Sequence, residues 1–480
     1  MATKRRTAKP AKVDIRHFVV LMLENRSFDH IFGFRKGLGA DGLSGDEYNL
    51  LKHDHPESTD NPRYYVSKNA PWKTSGEGPS HSINGTSLQL SGSRRGPKTE
   101  KDVKLNGFVM DYALALRTAR TKRVTEPTVE QLGEVMASFA PGALPATNAL
   151  ADHFCLCTHW HAEVPGPTQP NRLYMHAATS MGLTHNVWSR HFTCKTIYEN
   201  LQDAGKTWSV YEVGKNKSYD EVREFSNINK QVANFRHFET DFDADMKAGK
   251  FANYSFIVPR YVSDANGPSN SQHAPDDVRH ADNLIADVYE ALRRNENVWN
   301  HTALIVTYDE HGGFYDHVVP PMGVANPDGI NAPLPDDPDY VPPFQFDRLG
   351  LRVPALIVSP WVAAGSLCST ELRHTSVLAT VKKLFKLPKF LTERDKTANT
   401  FDSVFLEKAR TDAPMNLPRA EPDSFHKNDA RHPARQPLDE SRLEMARGIA
   451  RRSGALWHTD EPVTHGEAAK NISKVLGKRS

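Results

Sequence analysis

Two acidic groups stand directly behind apolar runs. Glu24-Asn25 closes VVLMLEN, and Asp309-Glu310-His311 closes ALIVTYDEH, with Gly312-Gly313 and then Asp316-His317 behind it. Taken singly, a carboxylate after a strand reads as a helix cap or a surface charge. Two such groups at the carboxyl ends of buried strands are able to converge on one cation. A third segment, VPGPTQPNR at 164–172, uses three prolines and a glycine to fix the backbone around one hydroxyl, Thr168. A rigid Pro/Gly turn is also what an ordinary loop looks like. Here it is followed by Asn171 and Arg172, donors that suit a phosphate, the guanidinium being able to grip an oxyanion with two parallel bonds.

The elements that would position these residues are strands and helices in alternation. Residues 18–23, 208–211, 254–258, 303–308 and 354–359 are short apolar runs with the β-branched content of strands buried on both faces. Between them, 276–295 has Leu284, Ile285, Val288, Tyr289 and Leu292 at helical spacing, with Pro275 at its start. Alternation of this kind predicts an α/β fold with a mostly parallel sheet covered by helices on both faces, and ligands outside the carboxyl ends of its strands. Residues 35–100 lack periodicity and are rich in Gly, Ser, Pro, Asn and His, which reads as a long irregular excursion serving the site. The expected organisation is a basic segment at 1–13, a catalytic domain at 14–405, and a polar tail at 406–480 with weak amphipathic helices near 438–449 and 468–476.

Composition excludes more than it selects. Sixty Lys and Arg against 58 Asp and Glu leave a net charge of +2, so nothing favours a nucleic-acid partner. Cys155, Cys157, Cys194 and Cys368 are too few for a disulfide framework and have no zinc spacing, so they read as mostly core thiols. No run approaches the roughly 18 to 20 apolar residues of a membrane span. No signal peptide is recognisable after the basic start, which gives a soluble, cytoplasmic expectation with signal-independent secretion as the alternative.

ENRSFDH (24–30), PGPTQPNR (165–172), YDEHGGFYDHVVPP (308–321) and GLRVPALIVSPW (350–361) with RHTSV (373–377) resemble, in order, the bacterial phosphoesterase family. That family contains the non-zinc phosphatidylcholine-type phospholipases C and the respiratory-burst-inhibiting acid phosphatase. The resemblance spans 14–405 and implies an alkaline-phosphatase-like α/β/α sandwich. By motif match it puts Glu24, Asn25, Thr168, Asp309 and Glu310 at the metal site, and His81, His273 and His317 on the phosphate side. This sequence departs from it in two places: no hydrophobic region follows Arg5-Arg6, and the residues after Phe405 are too short and polar for the C-terminal β-rich domains of the larger phospholipases.

The implied chemistry is coherent. A threonine hydroxyl is a weak nucleophile, and a bound metal, which lowers a water pKa from about 15.7 to about 7, is one of few ways to activate it. An all-oxygen ligand set fits one hard divalent ion, Ca²⁺, Mg²⁺ or Mn²⁺, better than zinc. Arg172 and protonated histidines would offset the site's negative charge, which predicts best function below about pH 6.5. A histidine opposite the nucleophile would protonate the leaving oxygen; His311 and His374 read as supports. The expected function is a phospholipase C acting through a phosphothreonine, with acid phosphatase as runner-up. A non-catalytic binding or delivery protein on the same fold is the alternative from another class. The expected partners are a phospholipid or small phosphoester, with room for transient contact at a membrane surface.

Overall fold

A computed structural model describes residues 13–52, 61–119, 123–214, 221–331, 344–425, 429–452 and 463–477; most of the basic segment at 1–13 lies outside them. The central sheet has eight strands: β1 His17–Leu23, β2 Cys155–Cys157, β3 Trp208–Glu212, β4 Phe235–His237, β5 Tyr254–Val258, β6 Thr302–Tyr308, β7 Ala355–Val358 and β8 Ser366–Cys368. Their spatial order is β8-β2-β7-β6-β1-β5-β3-β4. All neighbouring pairs are parallel except those made by β7, which runs antiparallel to both β2 and β6. Every residue of β5, β6 and β7 is buried, as is β1 after its first residue. Burial on both faces is why these strands show in the sequence as unbroken apolar runs. The predicted α/β class with a mostly parallel sheet is therefore the observed one.

The helices that matter for the site are α1 Ile83–Ser91, α2 Phe108–Thr118, α3 Pro145–His153, α4 Thr168–Ala177, α5 Arg279–Arg293, α6 His374–Phe385, α7 Glu440–Arg452 and α8 His465–Gly477. Packing separates them into groups: α3 lies on α5, and α4 on α6. Helix α5 buries Leu284, Ile285, Val288, Tyr289 and Leu292 on one face, each worth about 1.5–3 kcal/mol against exposure. It starts three residues later than its periodicity suggests, because residues after Pro275 first make turns, with Asp276 N–H donating to the His273 carbonyl at 3.0 Å.

The stretch at 35–100 is less irregular than its composition. Strands Tyr48–Leu50 and Arg63–Tyr65 pair there as a small antiparallel sheet, and α1 is capped by Ser82, whose hydroxyl accepts from Gly85 N–H at 3.1 Å. Its sequence INGTSLQLS is poor in helix formers, so packing against α2 rather than propensity holds it. The tail is likewise docked: Leu438, Met445, Ala446, Ile449 and Ala468 are buried in the main core. Cys155, Cys157 and Cys368 are buried free thiols. No helix among the described residues is long and apolar enough to cross a membrane.

Candidate active site

β1 and β6 are parallel neighbours, with Leu23 opposite Tyr308, so the residues that follow each strand emerge side by side at one edge of the sheet. Asp309 N–H donates to the Leu23 carbonyl at 3.1 Å, and Arg26 N–H to the Glu310 carbonyl at 3.0 Å. Asn25 N–H donates to Asp309 Oδ1 at 3.0 Å. Asn25 takes a left-handed backbone, φ 59°, which asparagine tolerates better than most residues. A Cβ on Gly312 would lie 2.2 Å from the Asn25 carbonyl oxygen, and one on Gly313 2.5 Å from that of Ser80. The Gly-Gly pair thus lets the chains carrying Asn25 and His81 close against the acidic turn. Glu24, Asn25, Asp309 and Glu310, distant in sequence, are brought together and buried.

Thr168 begins α4 and is 4% exposed. One turn later on the same helix, Arg172 donates Nε to Asp309 Oδ2 at 3.0 Å, Nη1 to Glu221 Oε1 at 2.8 Å, and Nη2 to the carbonyls of Met22 and Leu23 at 3.2 and 3.1 Å. This ties the helix N-terminus, where partial positive charge favours anions, to the ends of β1 and β6. Asn171 accepts from Val164 N–H at 3.0 Å and donates to the carbonyls of Val164, Gly166 and Pro167, so it holds the Pro/Gly turn. The expectation that Asn171 and Arg172 bind substrate is corrected here: both are buried and committed to internal partners, and both act as frame.

Electrostatically the site is unbalanced. Burial pushes the Glu24 carboxyl up to about 8, Asp309 adding to the effect against Arg172. Burial and Asp309 also push Glu310 well above the carboxylate range. Glu24 Oε2, Asn25 Oδ1 and Glu310 Oε1 are buried without a hydrogen-bond partner. Buried polar atoms are ordinarily satisfied, so three orphaned oxygens on neighbouring residues fit an oxygen-seeking cation. Asp309 contributes differently, since its oxygens already accept from Asn25 N–H, Glu310 N–H and Arg172; it keeps lone pairs for a metal but mainly locks its neighbours.

The histidines divide. His81 Nδ1 meets Asn25 Nδ2 at 3.0 Å, which turns the Asn25 oxygen away from the imidazole, and its ring lies edge-on to His273 at 6.0 Å. Burial pushes His81 down to about 4 and His273 down to about 3. Both are neutral near pH 6.5, so the expectation that charged imidazoles here offset the phosphate is corrected. His273 Nδ1–H donates a hydrogen bond to the Ala274 carbonyl, leaving a buried, unpartnered Nε2. In that tautomer Nε2 accepts a proton rather than donating one to a leaving group. His374 donates Nε2 to the Asp309 carbonyl at 2.7 Å while Nδ1 accepts from Trp160 at 3.3 Å, and His311 meets Gln89 Oε1 at 2.7 Å; both are supports.

His317 is placed elsewhere. Its Nδ1 bonds Asp29 Oδ2 at 2.6 Å and its Nε2 the Ala40 carbonyl at 3.0 Å. Among the described residues no hydrogen bond or ion pair joins it to Thr168 or the four site residues above. Asp29, Asp316 and His317 also have ligand atoms within 4.8 Å of one another. Arg352 already supplies the cation there, donating to Asp29 Oδ1 and Asp316 Oδ1 at 2.9 Å each. Sequence reasoning missed Glu221, Arg352 and, from the tail, Asp439 and Arg442; Arg352 lies in the GLRVPALIVSPW motif and the others in none, and only spatial pairing reveals what each does.

Arg172 links the helix whose first residue is Thr168 to the buried carboxylates at the strand ends, an arrangement suited to a phosphoric ester hydrolase. The Phosphoesterase family matches residues 15–388, and the chain belongs to that family. It is 37% identical over 425 residues to non-specific phospholipase C3 of Arabidopsis thaliana, covering 84% of this chain and 76% of that one. It is 28% identical over 464 residues to phospholipase C B of Mycobacterium tuberculosis, covering 86% and 84%. These relatives come from a plant and a bacterium. A solved alkaline phosphatase superfamily protein from Vibrio parahaemolyticus aligns at 12% identity, covering 70% of this chain and 84% of that one, with a TM-score of 0.31.

Proposed function

We propose that the chain is a metal-dependent phospholipase C that cleaves phosphatidylcholine-type diesters through a phosphothreonine at Thr168. The observation that carries the metal site is the set of orphaned buried oxygens on Glu24, Asn25 and Glu310. These three residues, with Asp309 and the Thr168 oxygen, would hold one hard divalent ion, Ca²⁺, Mg²⁺ or Mn²⁺. When bound, it supplies charge neutralisation and a lowered pKa at the Thr168 hydroxyl. Arg172 fixes the hydroxyl's helix to the strand ends, Asn171 holds the preceding turn, and Nε2 of His273 is the buried proton acceptor. Thr168 displaces the diacylglycerol alcohol, and water then hydrolyses the phosphothreonine to release the phosphorylated head group. The diester preference rests on the phospholipase C names of the relatives at 28–38% identity. Thr168→Ala is expected to abolish turnover with an unchanged thermal midpoint. Parallel assays on phosphatidylcholine vesicles and an aryl phosphate monoester test the substrate; hydrolysis of the monoester alone would replace the phospholipase reading with a phosphatase one.

A further inference from the structure

Helix α7 begins well after the family match ends, yet its first turn reaches the site. Asp439, 1% exposed, accepts from Arg442 N–H at 3.0 Å and from Arg442 Nη1 at 2.8 Å. Arg442 pairs with Asp276 at 2.9 Å. Its Nη2 also donates to Ser269 Oγ at 3.4 Å and to the His273 carbonyl at 3.5 Å. Ser269 Oγ lies 3.5 Å from Ser271 Oγ, and the Ser271 carbonyl accepts from Glu24 N–H at 2.8 Å. The tail therefore grips, from outside, the segment that carries both Ser271 and His273.

A segment that only needs to dock has a cheaper way, and α7 uses it with Met445, Ala446 and Ile449. Burying Asp439 and Arg442 as well costs desolvation that a buried ion pair seldom repays as stability. The pair is placed where its charges act on functional groups: Asp439 is felt by His81 and His273, and Arg442 by His273 and Glu24.

We propose that Asp439 and Arg442 are positioning residues of the catalytic centre, clamping residues 269–276 so that the His273 imidazole and Glu24 keep their places. This deepens the phosphoesterase reading of the site and rests on it. Asn caps a helix as well as Asp, so Asp439→Asn keeps the start of α7 and removes the charge. Arg442→Lys keeps the charge and loses the planar fork.

The test uses full-length Asp439→Asn, Arg442→Lys and Arg442→Gln, with Asp429→Asn as a tail control. In metal-free, histidine-labelled protein, the ring signals of His273 and His81 are expected to move in Asp439→Asn and Arg442→Gln and to stay in Asp429→Asn. On phosphatidylcholine vesicles, kcat is expected to fall about 10- to 100-fold with KM within about threefold, and Arg442→Lys to recover part of the loss. Unmoved histidine signals, or wild-type kcat in folded Arg442→Gln, overturn the proposal in favour of simple docking. If the wild-type protein hydrolyses no phosphoester, the functional reading fails while the histidine signals still decide the clamp.

Discussion

Two acid-rich clusters hang from the same two chain segments, a few residues apart on each, and they are built on opposite rules. In the Asp29–Asp316 cluster every carboxylate has a cation in contact: Arg352 bridges both acids at 2.9 Å, and His317 meets Asp29 at 2.6 Å. At the strand ends, Arg172 answers Asp309 at 3.0 Å, but among the described residues Glu310 is paired only with His81 at 3.8 Å and His311 at 3.5 Å. Burial pushes those imidazoles down to about 4 and about 3, so they are neutral. Glu24 and Glu310 keep orphaned oxygens. Clustered carboxylates alone therefore do not mark a metal site. The informative difference is whether the protein supplies the balancing charge itself or leaves it to an exchangeable ion.

The largest expected effect follows from removing a carboxylate from the unbalanced site. Glu310→Gln should lower kcat by about 10⁴-fold or more, near 5.5 kcal/mol of transition-state stabilisation. It should also stabilise the metal-free protein near neutral pH, on the order of 1 kcal/mol, since the cost of holding a buried carboxyl protonated is removed. Arg352→Met tests the balanced cluster and should do the opposite, destabilising by about 3–5 kcal/mol because Asp29 and Asp316 are left unpaired. Denaturant unfolding of both variants without metal measures the sign. If the two shifts share a sign, the distinction between the clusters collapses.

Much of this contrast is invisible in the sequence. Strand β5 was legible to the residue at 254–258, because a strand buried on both faces is an unbroken apolar run. β2, β4 and β8 are three residues each, too short to leave a pattern. The strand ends marked Glu24-Asn25 and Asp309-Glu310, and β1–β6 pairing brings them together. Sequence did not show which charges are answered. Arg172 looks like a phosphate binder until Asp309 and Glu221 are seen to occupy it. His317 shares a motif with Asp309 yet belongs to Asp29 and Arg352, partners far off in the chain. The α1 helix was lost in its Ser, Gly and Asn content, and Asp439 and Arg442 in a tail that reads as polar.

Chelation gives the next effect. A site with [M] about 100 times Kd gains about 2.7 kcal/mol from the ion, so a chelator should lower the thermal midpoint and inactivate together. The pH dependence of the metal-free protein has a definite sign. Glu24 is held up to about 8 by burial, with Asp309 adding to it, so between the usual carboxylate pKa and about 8 the folded state binds more protons than the unfolded state. Stability must then fall as pH rises through that window, and added Mg²⁺ or Ca²⁺ should restore it. A metal-free protein whose stability is flat over that range would place Glu24 outside the unbalanced site.

The smallest effect belongs to His317. Burial alone would lower its pKa, but the hydrogen bond and charge of Asp29, with Asp316 behind them, outweigh it and push the ring up to about 9. A folded-state pKa above the unfolded value near 6.5 contributes stability that is complete below about 6.5 and lost as pH rises through about 9. Full conversion of that shift gives about 3 kcal/mol. The side chain is 17% exposed, and solvent screening reduces the figure to on the order of 1–2 kcal/mol. His317→Gln should remove this loss and leave the Glu24 dependence at lower pH in place, because the two groups sit in separate clusters. Urea unfolding of wild type and variant at about pH 6.5 and about pH 9 measures it. Equal losses in both proteins would take the proton away from His317 and leave Arg352 as the balanced cluster's sole cation.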